Sequence, residues 1–357
     1  STWLWPMPAG HLVNAPYERY SDRDASGIRE SAPILNSCES SYTMVNHLPP
    51  NSQTVWRYLV LLLLPVCILP FRAVAQDLPP QFRTFEPYAK NPVFESAPGE
   101  WDSLIRERGW IMKDGNQQYR MWYTGYDPDQ DPVTMKLGYA TSPNGIEWTR
   151  HSENPIYDDA WIEDMMVIRH QGTFYMFAEG HRDQPQLLTS RDGVTWQNQG
   201  TLDVRLTSGE KIPPGPYGTP TAWFEGGTWY LFYERRDAGI WLATSADLRL
   251  WTNVSDDPLI IPGPDDYDRL LIAMNQIVKH DGRYYAVMHG TGSAKKPRAW
   301  CTWFAVSEDL KNWEKCEAGP VLPVEGNKSS GLLIHDGNRF RLYTMHAKVD
   351  LHFAKSP

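Results

Sequence analysis

Three carboxylates stand at comparable places in the chain. Glu107, Asp164 and Glu234 each flank a short apolar run, and Glu163 and Glu179 lie close by in sequence. A set of this kind suits breaking an acetal bond, in which one carboxyl group protonates the leaving oxygen and a second acts as base or nucleophile. Crowded like charges raise one pKa, which makes a proton donor usable near neutrality. Arg108, Arg182, Arg235 and Arg236 could lower neighbouring pKa values or hold a polar ligand in two-pronged fashion. His181, His289 and His346 add hydrogen-bonding groups, and Tyr126 a flat face for a sugar ring. Each residue also has a plainer reading. Glu107 between Arg106 and Arg108, and Glu234 before Arg235 and Arg236, are placed for ion pairs; Asp164 is placed to cap a turn.

Other chemistries find no support. No zinc, haem or iron–sulfur spacing occurs, nor a Gly-rich phosphate cradle or a Ser-His-Asp arrangement, so no cofactor is called for. Acidic residues outnumber basic ones, 43 to 34, and the net charge of -9 disfavours a nucleic-acid partner. The 357 residues are 41% hydrophobic and 13% aromatic, enough to build a core. Sixteen Trp, 18 Tyr, 26 Gly and 29 Pro point to β-structure rich in turns.

What must position the carboxylates is a repeat. The segments Gly138–Trp148, Leu188–Trp196, Leu242–Trp251 and Phe304–Trp313 share a strand ending in Ser, a turn and a Trp, with Trp spacings of 48, 55 and 62. Ahead of them run alternating hairpins, Trp110–Tyr123, Val167–Phe177, Ala222–Tyr233 and Ile277–Val287, with a fifth at Leu332–Tyr343. Spacing of this order fits one four-stranded blade per copy. The last copy lacks its outer strand, whereas Phe85–Phe94 near the start matches Trp148–Tyr157 position by position, including Asn91-Pro92 against Asn154-Pro155. The expectation is an all-β, five-bladed β-propeller over residues 76–357. Its ring is closed by the first strand of the mature chain, which completes the last blade. A β-sandwich is the competing architecture.

Aligning the copies puts Glu107, Asp164, Thr219, Met274 and Ser329 just before the innermost strands. It puts Thr124, Glu179, Glu234, His289 and Met345 or His346 at the ends of the second strands. All should converge on one mouth of the central channel, which leaves room for a structural cation. Asp102 and Asp268 recur after an aromatic residue and read as structural.

At this point the chain resembles the five-bladed propeller glycosidases, the broad group that contains glycoside hydrolase families 43, 32, 117 and 130. The resemblance covers residues 82–357 as architecture. Ile162–Phe177 is similar to the segment in which an Asp precedes the second inner strand, and Arg106–Trp110 occupies the place of a base or nucleophile Asp. It departs in blade three, where Tyr217-Gly218-Thr219-Pro220-Thr221 stands in place of a Glu acid. The resemblance implies a glycoside hydrolase acting on an oligo- or polysaccharide, with Glu107 and Asp164 as central carboxylates and Glu234 as proton donor. The alternatives are a non-catalytic carbohydrate-binding propeller and a phosphorylase resembling family 130.

Upstream, residues 56–75 combine a basic residue, a short apolar run broken by Pro65 and Pro70, and small residues at Ala73 and Ala75. This matches a secretory signal cleaved after Ala75, not a stable membrane anchor, and implies a secreted or periplasmic protein. Residues 1–55 read as a disordered leader or an over-extended gene start. In an exported chain Cys301 and Cys316 could form a disulfide, closing a loop worth about 3 kcal/mol. Oligomeric state is left open.

Overall fold

A computed structural model describes residues 78–355 apart from 116–117 and 296–297. The leader 1–55 and the signal-like segment 56–75 lie outside the described residues. The fold is the five-bladed β-propeller expected from the repeat, with five sheets in ring order, antiparallel but for one short strand of blade three. Blade two shows the plan most simply: from the channel outward it runs Glu163–His170, Thr173–Gly180, Gln184–Ser190 and Gln197–Thr201. Its core-facing residues alternate as a strand's two-residue period requires, with Met166, Phe174, Met176 and Leu188 buried against the neighbouring blades.

Ring closure follows the Asn-Pro copies. Phe85–Pro87 pairs antiparallel with Val349–Ala354, Phe85 opposite Ala354 and Pro87 opposite His352. Asn91 then clasps Leu351: its Nδ2 donates to the Leu351 carbonyl and its Oδ1 accepts the Leu351 N–H, both at 2.8 Å. Asn154 does the same to Tyr139 in blade one, at 3.0 and 2.9 Å. One sequence signal thus builds one outer-edge clasp in two blades. Phe82 of the short helix α1 (Pro80–Arg83) wedges between blades four and five, stacked 5.7 Å from Phe304 and edge-on to Phe340.

The outer turns carry the Ser-x-Asp signal. Ser190 Oγ accepts the Gly193 N–H at 2.9 Å, and Asp192 Oδ1 accepts those of Val194 and Thr195 at 2.8 and 2.7 Å. Ser307 and Asp309 repeat the pattern in blade four. These turns also join blades, since Trp122 Nε1 donates to the Gly193 carbonyl at 2.7 Å. Asp102 and Asp268 are structural, as their recurrence suggested: Asp102 holds Arg150 and the Tyr123 hydroxyl, and Asp268 holds Lys315.

Two expectations are corrected. Blade three has five strands, because Asp203–Arg205 adds in parallel to Leu250–Asn253; its three residues are too few to announce themselves by alternation. Cys301 and Cys316 are separate buried thiols, one opening the third strand of blade four and the other just beyond its outer strand. Burial pushes both thiols up to about 12. No helix among the described residues is long and apolar enough to cross a membrane.

Candidate active site

The channel mouth is built by a backbone irregularity repeated from blade to blade. The pairing of inner and second strands shifts by one residue between Glu163 and Met166, between Gly218 and Thr221, and between Met274 and Gln276. Such a bulge takes a residue out of the ladder and re-aims its side chain. Asp164 and Thr219 sit in two of these breaks with φ of 47° each, in the left-handed region that favours glycine. In blades one and five the left-handed residues are Arg108 (55°) and Ser330 (53°). The alignment on Glu107 and Ser329 is therefore one residue off in backbone conformation, because turn glycines do not report an inserted residue further along a strand.

Adjacent breaks are stitched to one another around the ring. Gly109 N–H donates to Met345 Sδ at 3.0 Å, and Met165 N–H to the Arg108 carbonyl at 3.1 Å. Thr219 donates to Glu179 from both its N–H and its hydroxyl, and Thr221 Oγ1 to the Met274 carbonyl at 2.8 Å. Gln276 bonds both backbone groups of Leu333. A side chain in one break is thereby held by the next blade.

Arg108 occupies the middle. It is 2% exposed and reaches across to blade three, donating to Thr221 Oγ1 at 3.2 Å and the Pro220 carbonyl at 3.3 Å. Its Nη1 has no partner among the described residues. Burial lowers its pKa, while Asp164, Glu179, Glu107 and Glu234 all act in the opposite direction. Four carboxylates from three blades thus surround one guanidinium, and Glu107, Asp164 and Glu234 share one site.

Their environments differ. Burial alone would raise Glu107, but His346 Nδ1 at 3.3 Å and Arg106 at 3.5 Å hold it far below the usual carboxylate range. Asp164 goes the other way. Burial raises it well above its ordinary value, Arg108 offsets only part, and Glu107 and Glu163 raise it further; Asp164 Oδ1 is buried without a partner. Glu179 and Glu234 are likewise raised well above theirs, burial being the main cause. Gly218 makes their approach possible, because a Cβ there would run into Glu179 and lie 3.1 Å from Glu234 Oε1. Glu234 Oε2 accepts the Asp237 N–H. Glu163 is buried between Arg106 at 3.1 Å and Trp161 Nε1 at 2.7 Å.

The remaining residues singled out from sequence divide between wall and rim. Tyr126 is buried beside Arg106, Glu163 and Glu107. His289 is buried, its Nδ1 2.9 Å from Asn275 Oδ1, and burial pushes it down to about 4. His181 and Arg182 are exposed at the rim, His181 edge-on to Trp161 at 5.7 Å. Arg235 donates to the Pro213 carbonyl at 2.8 Å, and Arg236 is exposed near Gly215, so both reach the loop around Pro213 and Gly215.

Sequence reading missed Asp237, Asn275 and Arg298. Burial, followed by Glu107 and Asp183, raises Asp237 to about 7, and Arg298 pulls it back. Its signal was its place three residues after Glu234, in a turn. Glu163, Glu179 and Asp183 each bring one carboxylate oxygen within 4.8 Å of the others, a spacing that could accept a cation. Glu163 and Glu179 already have protein partners.

The described residues thus form a five-bladed β-propeller with a ring of carboxylates at the channel mouth. No family model matches the sequence. Over 186 residues the chain is 27% identical to a 1,2-β-oligomannan phosphorylase from Thermoanaerobacter sp. (strain X514), a match covering 48% of this chain and 58% of that protein. The chain therefore spans a little over half the length of this curated relative. Among solved structures, a glycosyl hydrolase from Bacteroides ovatus superposes with a TM-score of 0.64 at 18% identity, over 78% of this chain and 95% of that one. The β-1,2-mannobiose phosphorylase of Listeria innocua, bound to β-1,2-mannobiose, superposes with a TM-score of 0.58 at 16% identity, over 75% and 95%. At such identities the structures share the fold.

Proposed function

We propose that the protein cleaves a glycosidic bond in an oligo- or polysaccharide at the channel mouth, with Asp164 as proton donor and Glu107 as the ionised partner that activates the nucleophile or serves as one. The observation that carries this reading is the opposed environment of two neighbouring carboxylates. Burial and like charges raise Asp164 well above its ordinary value, while His346 and Arg106 hold Glu107 well below its own. Groups whose pKa values are pushed apart in this way serve as acid and base. The geometry favours Asp164 over Glu234 as donor, because Glu234 Oε2 is engaged by the Asp237 amide whereas Asp164 Oδ1 has no hydrogen-bond partner among the described residues. Glu234 and Glu179 then bind hydroxyl groups.

Mannose-containing glycans are the first substrates to try, given the oligomannan phosphorylase relative. Phosphorolysis is the second reading. It is favoured by the unpartnered Arg108 Nη1 and Arg298 Nε, which could receive a phosphate oxygen. Export of the enzyme rests on segment 56–75 alone and argues for water as the nucleophile.

Residues 76–357 should be incubated with a glycan panel that includes β-1,2-mannobiose, with and without phosphate. Release of free sugar without phosphate supports hydrolysis, and sugar phosphate supports phosphorolysis. Asp164→Asn should bind but not turn over. If it cleaves at the parental rate, the assignment of the donor is wrong; if no glycan is cleaved but some bind, the protein is a binding propeller.

A further inference from the structure

Blade four contributes no acid to the channel, yet its break is as carefully supported as the others. Asn275 lies where the pairing shifts between Met274 and Gln276. Gln276 is spent on Leu333 of blade five, and Asn275 is turned to His289 on the second strand. Asn275 is 1% exposed and His289 5%. An amide oxygen can only accept, so the 2.9 Å contact between Asn275 Oδ1 and His289 Nδ1 puts the proton on Nδ1. The ring is then held from a second side by Trp300, edge-on at 5.0 Å. Two atoms are left over. Asn275 Nδ2 is buried with no partner, and no protein group bonds His289 Nε2 among the described residues. A buried amide donor without a partner destabilises the fold unless a ligand satisfies it.

We infer that Asn275 and His289 form a hydroxyl-reading pair, in which neutral His289 accepts a hydrogen bond from one sugar hydroxyl at Nε2 while Asn275 Nδ2 donates one to the neighbouring oxygen. The pair takes an uncharged sugar carrying two adjacent hydroxyl groups, and it rests on the glycan reading above. Asn275 is the positioning residue, since it sets the tautomer. The charged groups facing His289 are Glu107 and Arg108 of blade one and His346 of blade five. Burial dominates them and keeps the imidazole uncharged at neutral pH. The carboxylates around Arg108 make an anionic ligand the poorer fit.

The test is nitrogen-15 NMR of histidine-labelled protein, read with and without β-1,2-mannobiose and then with the glycans bound in the panel. The expected result is a protonated Nδ1 and a bare Nε2 from pH 6 to 8, with the Nε2 resonance moving when sugar binds. Asn275→Asp adds a carboxylate beside Nδ1 and should charge the ring, turning Nε2 from acceptor into donor. KM should then lie about tenfold above that of Asn275→Ala at pH 6 and fall back to the Asn275→Ala level as pH increases, with kcat within about threefold. Asn275→Ala should raise KM without that pH dependence. A proton on Nε2 in the parent protein overturns the proposal. So does a bound glycan that leaves Nε2 unmoved, an outcome compatible with cleavage at Asp164. If no glycan binds, both readings fall.

Discussion

Blades two and four are the same object made twice and put to different chemical use. In both, the inner strand carries one extra residue relative to its partner near the channel, and a polar side chain stands near the end of the second strand. Blade two fills those places with Asp164 and Glu179, and burial raises both carboxyl groups. Blade four fills them with Asn275 and His289, and burial lowers the imidazole. The same desolvation therefore favours the neutral form on both sides, which means an added proton in blade two and a missing one in blade four. The bulge recurs in both blades, left-handed at Asp164 but not at Asn275, and its chemistry is free to vary.

The largest expected effect is on turnover. Asp164→Asn should lower kcat by about a thousandfold with KM within threefold in steady-state assays, because the amide keeps the shape but cannot give up a proton to a leaving oxygen. A loss below tenfold would place the donor in another blade.

Next comes stability. A carboxyl group whose folded-state pKa is raised binds more protons in the folded state than in the unfolded chain. Its contribution therefore falls as pH rises from the ordinary carboxylate range toward the folded value. Glu179→Gln keeps an acceptor for Thr219 and removes the ionisation. It should raise stability by about 1–2 kcal/mol at pH 8 and by nothing measurable near pH 4, in urea titrations. Equal midpoint shifts at both pH values would show that charge is not the cause.

Blade four predicts the opposite slope. His289 at about 4 binds fewer protons folded than unfolded, so it weakens the fold as pH drops from about 6.5 to about 4. His289→Gln should flatten that part of the melting curve by about 2–4 °C relative to the parent. An unchanged slope would mean that His289 is charged in the folded protein.

The smallest effect tests where the two blades are alike. Asp192→Ala and Asp309→Ala each remove a carboxylate that accepts two backbone N–H groups in an outer turn. Each should cost about 1 kcal/mol, discounted because these turns face solvent, and leave kcat/KM unchanged. Unequal losses would show that the turns carry different loads.

The repeat was readable because it is local. The Ser-x-Asp turns, the alternating hairpins and the Asn-Pro clasps satisfy their backbone groups within a few residues or with the neighbouring strand, so composition and spacing suffice to announce them. Five blades and closure through Phe85–Pro87 follow from counting such units. The acids Glu107, Asp164 and Glu234 were legible by type and by place in the repeat. What separates them was not. Glu107 owes its lowered pKa to His346, about 240 positions away in the chain, and Asp164 owes its raised one to burial beside residues of blade one.

Sequence alone, then, determined the number of blades, the turns between strands and the supply of acidic side chains near one rim. Only the closed ring decided that Arg108 and not Glu107 takes the left-handed position, that the two late cysteines stay apart, and that Asn275, Asp237 and Arg298 join the site. Strand and turn propensities act over neighbours in the chain. A side chain's direction at a bulge, and the loss of water around it, depend on which distant segments pack across the channel.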